Sequence, residues 1–236
     1  MNIADIFLMI GIMSVIYACY VVSMHVRTTR PFRARRYFKT TLNTTNTQIS
    51  NPQPRKFLLY TSAGDKSNVR QWISDDRLYD IHVVYYGDTT FDLNVDKVFN
   101  RKDTKFPNLL WSIDMGLDLL KYDAVAVWDD DIVASPTSIN HLFEEMIQHN
   151  VDVFSPCHTR GFKNCLKKFK PSGIRDVEYV EMNSPMFKPS FLTSFMKQFD
   201  PILKGWGTEI WFCHICSLNK TCRISVSDTT CVTNPR

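Results

Sequence analysis

From residue 55 onward the chain alternates short, continuously apolar runs with stretches whose apolar residues recur at helical spacing. Short unbroken runs suit strands buried on both faces, as in a sheet covered by helices. The run in KFLLYTSAGD predicts a strand over 57–60 that gives way to small residues and Gly64, and DIHVVYYGD predicts another over 81–86, ended by Gly87 and Asp88. Residues 67–76 between them are expected to form one short helix. After a brief strand around Val98, FPNLLWSIDMGLDLLKY places Leu109, Leu110, Ile113, Leu117 and Leu120 on one helical stripe, with Pro107 near its start. A strand over 124–128, a helix over 138–149 and a strand over 151–154 follow. Later strands are expected over 177–182 and 223–226, with helices over 190–199 and 208–217. This order predicts one α/β domain over 55–236, parallel in its first half and mixed in its second.

The N-terminal part has a different pattern. A tail over 1–5 precedes an apolar stretch over 6–26, about the ~20 residues that a membrane-spanning helix needs. Asp5 lies before it, Lys and Arg do not, and no small-x-small cleavage site is evident, so an anchor is expected rather than a cleaved signal peptide. Residues 27–54 read as a stem, first basic (Arg27, Arg30, Arg33, Arg35, Arg36, Lys39) and then rich in Thr and Asn. Basic residues after the span place the domain in the cytoplasm by the positive-inside rule; a Golgi or ER lumenal domain is the alternative.

The net charge of +4 is concentrated in that stem, which argues against a nucleic-acid partner. With Cys19 in the apolar span, Cys157, Cys165, Cys213, Cys216, Cys222 and Cys231 form an even set that could pair or stay as thiols. Cys213-His214-Ile215-Cys216 resembles half of a zinc site but lacks a second half, and its apolar helical setting favours a core role. Asn43 and Asn219 lie in N-x-T sequons, which matter only in a lumen.

Two segments carry candidate chemistry. In YDAVAVWDDDIVAS an apolar strand runs into Asp129, Asp130 and Asp131. Ligands of open parallel sheets bind beyond the carboxyl ends of the strands, here residues 62–65, 87–88 and 129–131. Asp129 and Asp131 would point to one side of an extended segment and Asp130 to the other, so the outer pair could grip a hard divalent ion that also holds phosphate. A solvated acidic turn with an N-cap aspartate is the competing reading. In KGWGTEIWFCHI, Gly205 and Gly207 flank Trp206, and Glu209 opens a helix. An indole platform beside a carboxylate suits a sugar and its hydroxyl; a tight turn with a core Trp and a helix-start Glu is the plainer alternative.

Taken together, the strand ending in W-D-D-D and the later G-W-G-x-E resemble the GT-A-fold nucleotide-sugar glycosyltransferases over about residues 56–232, with closest likeness to a branch whose strand ends in W-D-x-D. The resemblance implies a GT-A (Rossmann-like) mixed, largely parallel sheet flanked by helices. It implies that Asp129 and Asp131 bind Mn²⁺ or Mg²⁺ and the nucleotide diphosphate, Asp129 meeting ribose and metal-bound water and Asp131 ligating the metal. Asp130 would face the sugar or its neighbours. Thr61, Ser62 and Asp88 would lie near base and ribose, and Lys105 near donor phosphate or base. Glu181 and Asn183, in EYVEMNSPMF, would bind acceptor hydroxyls beside Trp206, and Glu209 would be the base of an inverting transfer.

One departure is Asn234, which stands where the family supplies a metal-binding His; His214 is a substitute candidate. The expectation is a membrane-anchored, metal-dependent hexosyl- or pentosyltransferase with a nucleotide-diphosphate sugar donor and a glycan, glycoprotein or glycolipid acceptor. A catalytically inactive GT-A-like domain that binds glycan or scaffolds a membrane complex is the alternative. A metal-dependent phosphoesterase would need further His or Asp ligands near Asp131.

Overall fold

Alternation along the central strands decides which residues face each side of the sheet. In β1 (Phe57–Ala63) all seven residues are buried, with Phe57 and Leu59 packing into one core cluster and Leu58 and Tyr60 into the other. β4 (Ala124–Asp129) repeats this, sending Ala124, Ala126 and Trp128 one way and Val125 and Val127 the other. Both strands are therefore covered on both faces, the reason their sequences are continuously apolar.

The computed structural model describes residues 57–159, 173–205 and 207–235. The expected anchor, the stem, Asn43, Cys165 and Trp206 lie outside them. Among the described residues no helix is long and apolar enough to cross a membrane. The other strands are β2 (Tyr79–Tyr85), β3 (Lys97–Asn100), β5 (Val153–His158), β6 (Ile174–Asp176), β7 (Met186–Phe187) and β8 (Ile224–Val232), and the helices are α1 (Lys105–Asp114), α2 (Pro136–Gln148), α3 (Pro189–Met196) and α4 (Thr208–Ser217). They build an eight-stranded sheet in the order β3-β2-β1-β4-β7-β5-β8-β6. β1, β2, β3 and β4 run parallel, β5 runs parallel to β8, and β7 and β6 pair antiparallel with their neighbours.

Several boundaries differ from the sequence expectation. The helix expected over 67–76 is a single 3-10 turn, Val69–Trp72, enough to bury Val69 and Trp72. The stripe from Leu109 to Leu120 does not form one helix: α1 ends at Met115, Gly116 turns left-handed at φ 98, and a separate 3-10 turn at Leu119–Lys121 starts where the Asp118 side chain accepts from Leu120 N–H. The strand expected over 177–182 is absent. After Val177 N–H donates to the Ile224 carbonyl, the chain leaves the sheet and carries Tyr179 to Glu209 of α4 and Met182 to the lining of the aspartate cleft.

β5 extends to His158 with a register shift between Ser155 and Cys157, where Pro156 has no N–H to give the ladder. Disulfides join Cys157 to Cys231, tying β5 to β8, and Cys216 to Cys222, tying the end of α4 to the start of β8. Cys213 is a buried thiol.

Candidate functional site

Parallel pairing brings the carboxyl ends of β1, β2 and β4 to one edge, with Ser62 opposite Asp129 and Ala63 opposite Tyr85. They open on a cleft of about 830 Å³ whose lining includes Ser62, Tyr86, Asp88 and all three aspartates. Thr61 does not line it: this residue is fully buried, and its hydroxyl donates to the Ser62 carbonyl. Ser62 is positioned by Asn108 of α1, whose amide donates to its hydroxyl at 2.8 Å.

The aspartate turn is clamped by the connection between β1 and β2. Asn68 N–H donates to the Asp130 carbonyl at 2.6 Å, its side-chain amide donates to the Asp131 carbonyl at 2.7 Å, and the Trp72 indole donates to the Ile132 carbonyl. The Asp130 carboxylate accepts from Gly64 N–H at 2.8 Å, which anchors it to the loop after β1. Burial raises its pKa, and the charges of Asp131 and Asp129 add to that shift. A Cβ at Gly64 would lie 2.7 Å from the ring of the partly exposed Tyr86, which would have to turn aside.

Lys105 is the hub of the site. It opens α1, is 4% exposed, and its ammonium lies 2.8 Å from Asp129 Oδ1 while also donating to the Met182 carbonyl. Burial pulls its pKa down; Asp129, then Asp131 and Glu209, pull the other way. Lys105, expected near donor phosphate or base, lines the cleft and pairs there with the first aspartate. Asp129 is fixed further by its N–H, which donates to the Asn183 carbonyl at 2.7 Å.

At the rim Asp88 pairs with Lys102 at 2.7 Å, and Lys102 and Lys204 both line the cleft. Below the rim, Asp65 accepts from the Tyr85 hydroxyl, from Thr89 Oγ1 at 2.6 Å and from two backbone N–H groups. Led by Thr89 and Tyr85, these bonds hold its carboxyl well below the usual carboxylate range. A depressed folded pKa stabilises the fold above the unfolded value near ~3.9 and is lost as pH falls through the folded one. Wild-type Tm should therefore fall more steeply than that of Asp65→Asn below about pH 4, as followed by thermal unfolding across a pH series. Gly87→Ala should also destabilise: its Cβ would meet the Tyr85 hydroxyl at 2.3 Å and Asp65 Oδ1 at 2.6 Å. We expect a loss of about 1–3 kcal/mol in urea unfolding.

Glu209 is 5% exposed in the first turn of α4. The Tyr179 hydroxyl donates to its Oε1 and Gly207 N–H to its Oε2, each at 3.2 Å. Gly207 holds φ 95 as the N-cap, a left-handed conformation that favours glycine. Burial raises the Tyr179 pKa, and the Glu209 charge adds to that, so the phenol stays a donor. Asn183 is buried and its Oδ1 accepts from Ser184 Oγ. Behind it His158 Nε2 lies 3.0 Å from Ser184 Oγ, with burial lowering the imidazole to about 4. Glu181 is partly exposed in the loop before Asn183.

For a metal, Asp129 and Asp131 offer hard oxygens at the cleft wall. Antiparallel pairing of Val133 with Thr233 places Asn234 next to a residue bridged to the chain two positions beyond Asp131, and Asn234 is not among the residues that line the cleft. Among the described residues no group of three His, Cys, Asp or Glu converges on an ion. Asp129 and Asp131 alone would hold a hard ion only with substrate phosphates and water completing its coordination. His214 does not belong to this set. It is exposed on α4, contrary to the core role expected, and lines a separate cavity of about 530 Å³ with Tyr179 and Cys213. Asn68, Asn108 and Tyr179 were missed from sequence, since nothing local marks them.

No protein-family model and no curated protein sequence matches the chain. Solved structures of S. aureus TarS do resemble it. One is 14% identical with a TM-score of 0.52, the match covering 75% of this chain and 36% of that one. Another, TarS 1-349 in complex with UDP, is 17% identical with a TM-score of 0.53, covering 75% and 60%. The match thus spans between 36% and 60% of these chains, and at such identities the likeness shows the fold: a GT-A-like single domain with a mixed, largely parallel sheet flanked by helices.

Proposed function

We propose that this domain transfers a sugar from a nucleotide-diphosphate donor to an acceptor hydroxyl, with inversion at the anomeric carbon. The observation that carries the proposal is the cleft at the carboxyl ends of β1, β2 and β4, where the buried Lys105 ammonium pairs with Asp129 at 2.8 Å and Asp130 and Asp131 share the lining. The donor diphosphate would lie along the aspartate edge, where Lys102 and Lys204 can meet its oxygens. A Mn²⁺ or Mg²⁺ ion on Asp129 and Asp131 would supply charge stabilisation to the leaving diphosphate. Glu209, aimed by Tyr179 and Gly207, would take the proton of the acceptor hydroxyl as its oxygen bonds to the anomeric carbon and the bond to the diphosphate breaks. The S. aureus TarS complex with UDP supports a uridine nucleotide as the first donor family to try. A glycan, glycoprotein or glycolipid acceptor would approach from the side of Asn183, Glu181 and Trp206.

The test is a screen of nucleotide sugars for release of nucleoside diphosphate by the purified full chain, with and without Mn²⁺. We expect one donor class to be turned over, with loss of turnover in Asp131→Ala. Turnover undiminished in Asp131→Ala would remove the metal assignment, and no turnover with any donor would favour a glycan-binding domain.

A further inference from the structure

Asn219-Lys220-Thr221 forms the turn between α4 and β8, and all three residues are exposed. We propose that Asn219 is an N-glycosylation site and that the domain matures in an oxidising lumen. Thr221 Oγ1 donates to Asn219 Oδ1 at 2.8 Å and Thr221 N–H donates at 3.1 Å. The side-chain oxygen, not the amide nitrogen, carries these bonds, so Nδ2 is the atom left to receive a glycan. In the modification an oligosaccharide moves from a polyisoprenyl diphosphate: the bond from its C1 to the diphosphate oxygen breaks and a bond from C1 to Asn219 Nδ2 forms. The amide proton passes to a base of the modifying enzyme, and the lipid diphosphate leaves.

A sequon alone would be weak, but this one is spanned by the Cys216–Cys222 disulfide, and a second bridge joins Cys157 to Cys231. Disulfides persist in the secretory lumen and are rare in the cytosol, and N-glycans are attached in that same lumen to surface loops. Two cysteine pairs and an exposed sequon therefore point to one compartment, against the cytoplasmic placement that the basic stem predicts. The proposal is independent of the sugar-transfer reading and stands or falls without it.

The full chain is expressed in cultured animal cells, alkylated before lysis, and mapped by peptide mass spectrometry with and without peptide N-glycosidase. The expected result is an Asn219 peptide carrying a glycan the enzyme releases, with Cys216 and Cys222 protected from alkylation. Occupancy should fall to none in Thr221→Ala and persist in Thr221→Ser. An unmodified Asn219 peptide in wild-type protein, or alkylated Cys216 and Cys222, would overturn the proposal. Because the wild-type peptide decides the matter, a variant that fails to fold leaves the test intact.

Discussion

Glu209→Gln should lower the rate of sugar transfer by about 10²–10⁴-fold while leaving thermal unfolding nearly unchanged. The replacement is isosteric and can keep both of the contacts that hold this side chain. Its amide oxygen can still accept from Gly207 N–H, and its NH₂ can donate to the Tyr179 oxygen, since a hydroxyl is able to accept. What disappears is a site for the acceptor proton. Steady-state kinetics should therefore show kcat falling with the donor KM little changed, the pattern of an interaction made in the transition state. Full activity in the variant would remove Glu209 as base.

Asp129→Ala should be the most damaging change to the fold among the cleft residues. Lys105 is 4% exposed, and Asp129 is its nearest carboxylate at 2.8 Å. Removing one partner of a buried pair leaves the other charge uncompensated, a loss of about 3 kcal/mol after allowing for the half-exposed Asp129 side chain. For a domain of this size that corresponds to a fall in Tm of roughly 6–12 °C. The double variant Asp129→Ala, Lys105→Met should recover part of the loss, because it removes the orphaned ammonium along with its partner. Asp131→Ala leaves the Lys105–Asp129 pair intact and should cost less stability, while donor turnover should be lost. Equal Tm values for wild type and Asp129→Ala would show that the pair does not hold the site.

The features legible in the sequence share one property: they are local. The strand running into Asp129 announced itself through a continuous apolar run, and α4 formed over the residues expected, since Gly207 and Glu209 mark its start by backbone and dipole preference. Helical spacing misled where a single left-handed residue intervenes, as at Gly116, because periodicity does not see the turn that resets the chain direction. It misled again over 177–182, whose apolar and polar residues read as a strand but whose Tyr179 hydroxyl is engaged by Glu209. His214 was assigned to the core from its apolar neighbours, yet it lies on the outward side of α4. The role of Asn68 could not be read at all, since its partners Asp130 and Asp131 lie far along the chain and only the sheet brings them together.

The pairing of Val133 with Thr233 sets an order on synthesis. A nascent chain can assemble β1, β2 and β4 and gather the three carboxylates while β8 is still being translated, but Thr233 can meet Val133 only after β8 has docked beside β5. Such distant pairing is slow to form, so each new molecule would pass through a stage with β5 unpaired along one edge. That interval is where a folding helper, or aggregation through the open edge, would act.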